Sequence, residues 1–105
     1  AKGTIFNIAS IASMKAYANG GSYSISKFAK LGFSKNLREE LKPHGIRVMS
    51  VMPGATFTAS WEGVDVPEER LMPAEDVASM VWAMYNTSYR TVVEEIIIRP
   101  MLGDL

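Results

Sequence analysis

Ile46-Arg47-Val48-Met49-Ser50-Val51-Met52, followed at once by Pro53-Gly54, is the stretch that decides the fold. A short run that is nearly all apolar suits a parallel strand covered on both faces. Pro53-Gly54 breaks it at its carboxyl end. Upstream, Pro43-His44-Gly45 marks the end of a helix. The spacing predicts that helix from Ser22 or Tyr23 to about Leu41, with Ser22 as its N-cap. Phe28, Leu31, Leu37 and Leu41 supply an apolar face, while Lys35, Arg38, Glu39 and Lys42 can face water. Gly32 weakens the helix locally but permits close backbone approach. Before the helix, residues 16–22 form a loop around the Gly20-Gly21 breaker. Earlier still, the apolar and β-branched run from Lys2 to Ile8 reads as a strand. The small and polar residues Ala9-Ser10-Ile11-Ala12-Ser13 follow at its carboxyl end.

Downstream, Phe57 to Met72 is irregular and holds Trp61, Gly63, Pro67 and the charged Glu68-Glu69-Arg70. A second helix starts at Pro73, with Glu75 and Asp76 near its positive end. Val77, Met80, Val81 and Met84 form its apolar stripe, read as core packing, and Asn86-Thr87-Ser88 ends it. Val92 to Ile98 reads as a third strand, and Arg99-Pro100 opens a short tail. The order is strand–helix–strand–helix–strand. Two right-handed crossovers then lay three parallel strands side by side with helices on both faces, an α/β architecture. The 105 residues show no internal repeat or low-complexity segment and fit one domain.

The chemistry points to Tyr23-Ser24-Ile25-Ser26-Lys27, with Ser10 upstream. A tyrosine and a lysine four apart on a helix lie one turn from each other on nearly the same face. A phenol titrates near pH 10 in water, too high for proton transfer at neutral pH. A nearby ammonium favours the phenolate, and a phenol tuned in this way can pass a proton to or from a carbonyl or alcohol oxygen. The pair alone also fits a tyrosine packed on the sheet beside a solvated lysine. Position adds weight, because ligands and catalytic groups in open α/β sheets gather outside the carboxyl ends of the strands, where Ser10 falls.

In sum, Asn7-Ile8-Ala9-Ser10, Tyr23-Ser24-Ile25-Ser26-Lys27 and Val51-Met52-Pro53-Gly54 with Thr58 occur in that order. In these pieces and their spacing the chain resembles the C-terminal part of a short-chain dehydrogenase/reductase, a Rossmann-fold oxidoreductase that uses NAD or NADP. The likeness runs from Ala1 into the tail. It implies a doubly wound parallel sheet and a Ser10–Tyr23–Lys27 catalytic group. Tyr23 would exchange a proton with the substrate oxygen. Lys27 would lower the phenol's pKa and hold the nicotinamide ribose hydroxyls, so that Tyr23 and Lys27 also border the cofactor. Ser10 would hydrogen-bond the substrate oxygen. Pro53 and Gly54 would bring backbone close to the nicotinamide, and Thr58, with Thr56 as its alternative, would bind the carboxamide. The segment from Phe57 to Met72 stands where the family carries its substrate lid, with Trp61 either facing substrate or packing on the following helix. The ending resembles enzymes acting on small hydroxy acids and 3-hydroxy amino acids, with reducers of 3-oxoacyl thioesters as close rivals. Family members form homodimers or homotetramers through the helix carrying Tyr23 and through the final helix and strand.

A glycine-rich phosphate loop is missing from the 105 residues, since Gly20-Gly21 follows a loop rather than a first strand. Residues 1–105 are therefore expected to be the C-terminal portion of one Rossmann domain, without its dinucleotide-phosphate half. Alone they are expected to bind dinucleotide poorly and to turn over nothing. The contrasting reading is a truncated, non-catalytic module that acts through self-association.

Composition narrows the partners. A formal net charge of zero without a basic stripe argues against nucleic acid, leaving a small-molecule alcohol or carbonyl as the expected partner. The absence of cysteine excludes disulfides and thiolate chemistry and fits a cytoplasmic protein. No apolar run reaches membrane-spanning length. The single histidine, His44, sits in a turn and reads as a surface residue, and no ligand cluster suggests a metal.

Overall fold

A computed structural model describes residues 2–9, 21–61 and 63–103, with side chains left undescribed at 21–28, 30 and 60. The elements are β1 (Gly3–Ile8), α1 (Gly21–Leu41), β2 (Ile46–Pro53), α2 (Ala74–Tyr85) and β3 (Glu95–Ile98). The three strands form one sheet in the order β1-β2-β3, and both pairings are parallel. The α/β architecture read from the sequence is therefore the one observed. Gly3 pairs with Ile46 at one end of the first ladder and Ile8 with Val51 at the other.

β2 is the spine of the domain. Its residues from Arg47 to Met52 are all buried, as a central parallel strand requires. Alternation divides them between two layers. On one face Ser50 meets Ser34 of α1, and Met52 packs with Leu31 of α1. On the other, Met49 and Val51 pack with Met84 of α2, joined by Val77, Val81, Ile96 and Ile98. Helices thus cover opposite faces of the sheet.

The Ser34 and Ser50 hydroxyls lie 2.8 Å apart in the buried α1–β2 interface. Removing one leaves the other buried without that partner, whereas removing both restores balance. Ser34→Ala is expected to lower stability by about 1–2 kcal/mol in urea unfolding. The Ser34→Ala/Ser50→Ala pair should cost clearly less than the sum of the two single changes.

Several boundaries differ from the sequence reading. Ser22 lies within α1 rather than capping it. After Leu41 a 3-10 turn, Lys42–His44, closes on Gly45, which adopts φ 74° in the left-handed region. Lys35 and Arg38 do not simply face water: they reach across to Glu95 at 3.2 Å and Glu94 at 2.8 Å. Lys42 sits 2.8 Å from Glu39 and holds that carboxyl below its ordinary value through its hydrogen bond and charge. The pair is exposed and adds little to stability. α2 starts after Pro73, but of its expected apolar stripe only Met84 is buried. Met80 is half-buried beside a cavity, while Trp82 stacks on Tyr85 in the open with ring centroids 6.0 Å apart.

The third strand is shorter than the run from Val92 to Ile98, because its ladder with β2 opens only at Glu95. Just before this ladder, the Arg47 guanidinium donates to the Thr91 carbonyl at 3.3 Å. Val92 and Val93 still pack against the Met49 cluster.

Candidate active site

In a parallel sheet all strands end on the same side, so the ends of β1, β2 and β3 form one edge. β1 finishes at Ile8, and the Ala9 N–H donates to the Val51 carbonyl at 2.8 Å. Ala9 is buried in a cluster with Leu31 and Met52. That cluster ties together three segments singled out in the sequence. Ala9 precedes Ser10, Leu31 stands one turn beyond Lys27 on α1, and Met52 precedes Pro53.

Positions 23, 27, 31 and 34 follow the helical spacing of one stripe along α1. Leu31 and Ser34, its later members, are buried against β2. Positions 23 and 27 continue the stripe toward the carboxyl edge, one turn apart. Ser10 lies outside the described residues, and Tyr23 and Lys27 are described as backbone within α1.

Pro53 closes β2 and is half-buried. The Gly54 N–H donates to the Ile98 carbonyl at 2.7 Å, which joins the ends of β2 and β3. The approach at Gly54 is close: a Cβ there would sit a tight 3.3 Å from Pro100 Cδ and an ordinary 3.5 Å from Arg99 Cα. The tail beyond β3 therefore presses directly on the Pro53-Gly54 backbone.

Thr56 and Thr58 separate in role. The Thr56 hydroxyl donates to the Gly54 carbonyl at 3.0 Å, stiffening the turn out of β2. Thr58 is exposed, and its carbonyl accepts the Trp61 N–H at 3.0 Å. Trp61 ends the 3-10 turn Ala59–Trp61 and is half-buried. The segment from Phe57 to Met72 is a loop pinched shut at its base. Phe57 N–H donates to the Met72 carbonyl at 2.8 Å, and Met72 N–H to the Ala55 carbonyl at 3.1 Å.

Two contributors escaped the sequence reading. Arg70, in the 3-10 turn Glu68–Arg70, donates to the Gly103 carbonyl at 3.0 Å and to the Leu102 carbonyl at 3.4 Å. The other is Arg47, buried within β2. Both are arginines bound to main-chain carbonyls far along the chain, and no local pattern announces that. Among the described residues no group of His, Cys, Asp and Glu could hold a metal, and no helix is long and apolar enough to cross a membrane.

A profile of the short chain dehydrogenase family matches residues 1–68, which include every strand-end residue described above except those of β3. The chain belongs to the short-chain dehydrogenase family. It is 40% identical to a sepiapterin reductase from Chlorobaculum tepidum over 98% of this chain and 43% of that protein. Among solved structures it resembles a β-ketoacyl-[ACP] reductase from Bacteroides thetaiotaomicron with a TM-score of 0.78. The identity there is 31%, over 94% of this chain and 40% of that one. It also resembles the closed form of a serine dehydrogenase complexed with NADP+, with a TM-score of 0.82 and 26% identity. That match covers 97% of this chain and 46% of the other. The chain thus spans less than half the length of these short-chain dehydrogenase relatives, all of which are oxidoreductases by name.

Proposed function

We propose that the protein is a nicotinamide-dependent oxidoreductase interconverting an alcohol and a carbonyl, with Ser10, Tyr23 and Lys27 as its catalytic group. In this reading residues 1–105 are the C-terminal portion of a single Rossmann domain, and the dinucleotide phosphates are held by a half outside them. The 105 residues alone then bind dinucleotide poorly and are inactive. The packing of Ala9 with Leu31 and Met52 carries the reading, because it draws the segments bearing Ser10, Lys27 and Pro53-Gly54 to one sheet edge.

Tyr23 passes a proton between its hydroxyl and the substrate oxygen. Lys27, one helical turn away, favours the phenolate by its charge and holds ribose hydroxyls. Ser10 donates a hydrogen bond to the substrate oxygen as negative charge grows there. NAD or NADP, when bound, supplies or takes up the hydride.

The residues at the edge of β2 fit the nicotinamide end of such a group. Pro53 has no N–H, the Gly54 N–H is committed to Ile98, and the Thr56 hydroxyl is committed to Gly54. The edge is therefore firm, which suits a flat ring at close range, and in this reading the exposed Thr58 binds the carboxamide. Trp61 borders the substrate from the loop above. The substrate is a small alcohol or carbonyl compound; the likeness to a serine dehydrogenase supports hydroxy acids, and that to a β-ketoacyl-[ACP] reductase supports 3-oxoacyl thioesters. Self-association as a dimer or tetramer fits the exposed Phe33 of α1 and Trp82 of α2.

Titration of NADH and NADPH into the full-length protein tests the proposal, read by nicotinamide fluorescence. Saturable binding of at least one, in the range of about 1 μM to 1 mM, is the expected result. Absence of binding by both refutes it.

A further inference from the structure

The tail after β3 is held in an unusual way. Met101 is 98% exposed and Leu102 is 78% exposed, so apolar burial does not keep these residues in place. Among the described tail residues Pro100 is the buried one, and it lies against Gly54. The chain then turns, with Gly103 at φ 89° and its N–H on the Pro100 carbonyl at 2.8 Å. The two carbonyls presented by this turn, those of Leu102 and Gly103, are the ones taken by Arg70.

Arg70 stands at the C-terminal foot of the loop from Phe57 to Met72. Its own N–H donates to the Pro67 carbonyl at 3.0 Å, and the following Leu71 is buried. A cavity of about 510 Å³ separates this foot and the start of α2 from the tail, lined by Met72, Asp76, Met80 and Met101 among others. The loop foot and the tail are thus not packed together by side chains across their whole length. A planar guanidinium with its donors in a fixed fork is well suited to bridging such a gap.

We propose that Arg70 is a positioning residue that couples the tail after β3 to the loop from Phe57 to Met72, so that the tail steadies the loop. The inference rests on the proposed function for its meaning, since that loop carries Thr58 and Trp61 toward cofactor and substrate. One path then runs from Arg70 through the Leu102-Gly103 turn and Pro100 to Gly54, linking the loop to the strand end beside the nicotinamide.

Amide hydrogen exchange on the full-length protein tests the coupling. Local opening governs exchange in loops of this kind. Three changes are compared: Arg70→Gln, removal of the residues from Met101 onward, and both together. Exchange across residues 57–71 is expected to speed up about tenfold in either single variant and no further in the double. Amides of β2 and α2 should keep their native rates, and Arg70→Lys should recover part of the protection. Unchanged exchange over 57–71 in Arg70→Gln overturns the inference, and so do effects that multiply in the double variant. The dinucleotide titration decides the proposed function separately, since exchange in the unliganded protein does not depend on it.

Discussion

Tyr23→Phe is expected to lower turnover of the full-length enzyme by about 10²- to 10⁴-fold, the usual share of a positioned proton donor. That corresponds to about 3–5 kcal/mol of barrier. The substitution removes one hydroxyl from a residue of α1 and keeps the aromatic ring of the side chain. Thermal stability and dinucleotide affinity should therefore change little. Steady-state kinetics beside a melting curve separate the two effects. A non-catalytic module would show no functional change in Tyr23→Phe, so the same variant discriminates the two readings of the chain.

The largest expected loss of stability belongs to Arg47. It is the one charged residue within β2 and is only 5% exposed. Among the described residues no carboxylate pairs with it. Its charge is answered instead by oxygen atoms and rings. The guanidinium donates to the carbonyls of Tyr85 at 2.8 Å, Thr87 at 3.2 Å and Thr91 at 3.3 Å. It also donates to the hydroxyls of Thr87 at 2.8 Å and Thr4 at 3.1 Å. The Tyr85 and Thr87 carbonyls stand at the end of α2, where helix geometry leaves acceptors unsatisfied and the dipole favours a cation. The Tyr89 ring lies 4.6 Å from the guanidinium carbon, within cation–π range. Arg47 thus joins β1, β2, the end of α2 and the approach to β3 in a single contact set.

Arg47→Met keeps much of the volume but strips all of these acceptors of their donor. These bonds are part-buried, so water meets some of the freed acceptors, and a total of about 2–3 kcal/mol is expected. Arg47→Lys should recover only part of it, because an ammonium cannot span the fork. Urea midpoints for the two variants measure the difference.

Much of the fold was legible because the strands and helices obey simple periodicities. The apolar run from Ile46 to Met52 required a strand covered on both faces, and the observed sheet places β2 in the centre. Pro43-His44-Gly45 and Pro73 marked helix boundaries through backbone chemistry that acts locally. What stayed hidden depends on distant partners. Arg47 looked like a polar interruption of a strand, and its role appears only once carbonyls 38 to 44 positions away are brought to it. Arg70 looked like part of a solvated charge patch until the tail turn met it from 32 and 33 positions away. The candidate site was legible as a motif, because Tyr23 and Lys27 share one helical turn and Pro53-Gly54 ends a strand. The contact that unites the motif's parts, Ala9 on Leu31 and Met52, involves three residues with no chemistry to flag them.

Hydride transfer can be followed with a deuterium label. The full-length protein is supplied with NADH or NADPH deuterated at the transferring carbon, together with small 2- and 3-oxo acids and a 3-oxoacyl thioester. The recovered alcohol is then examined by mass spectrometry. Alcohol with one deuterium on the former carbonyl carbon, formed about 10²- to 10⁴-fold more slowly by Tyr23→Phe, is the predicted result. An alcohol formed without deuterium, or a Tyr23→Phe enzyme as fast as the wild type, would contradict hydride transfer assisted by this tyrosine.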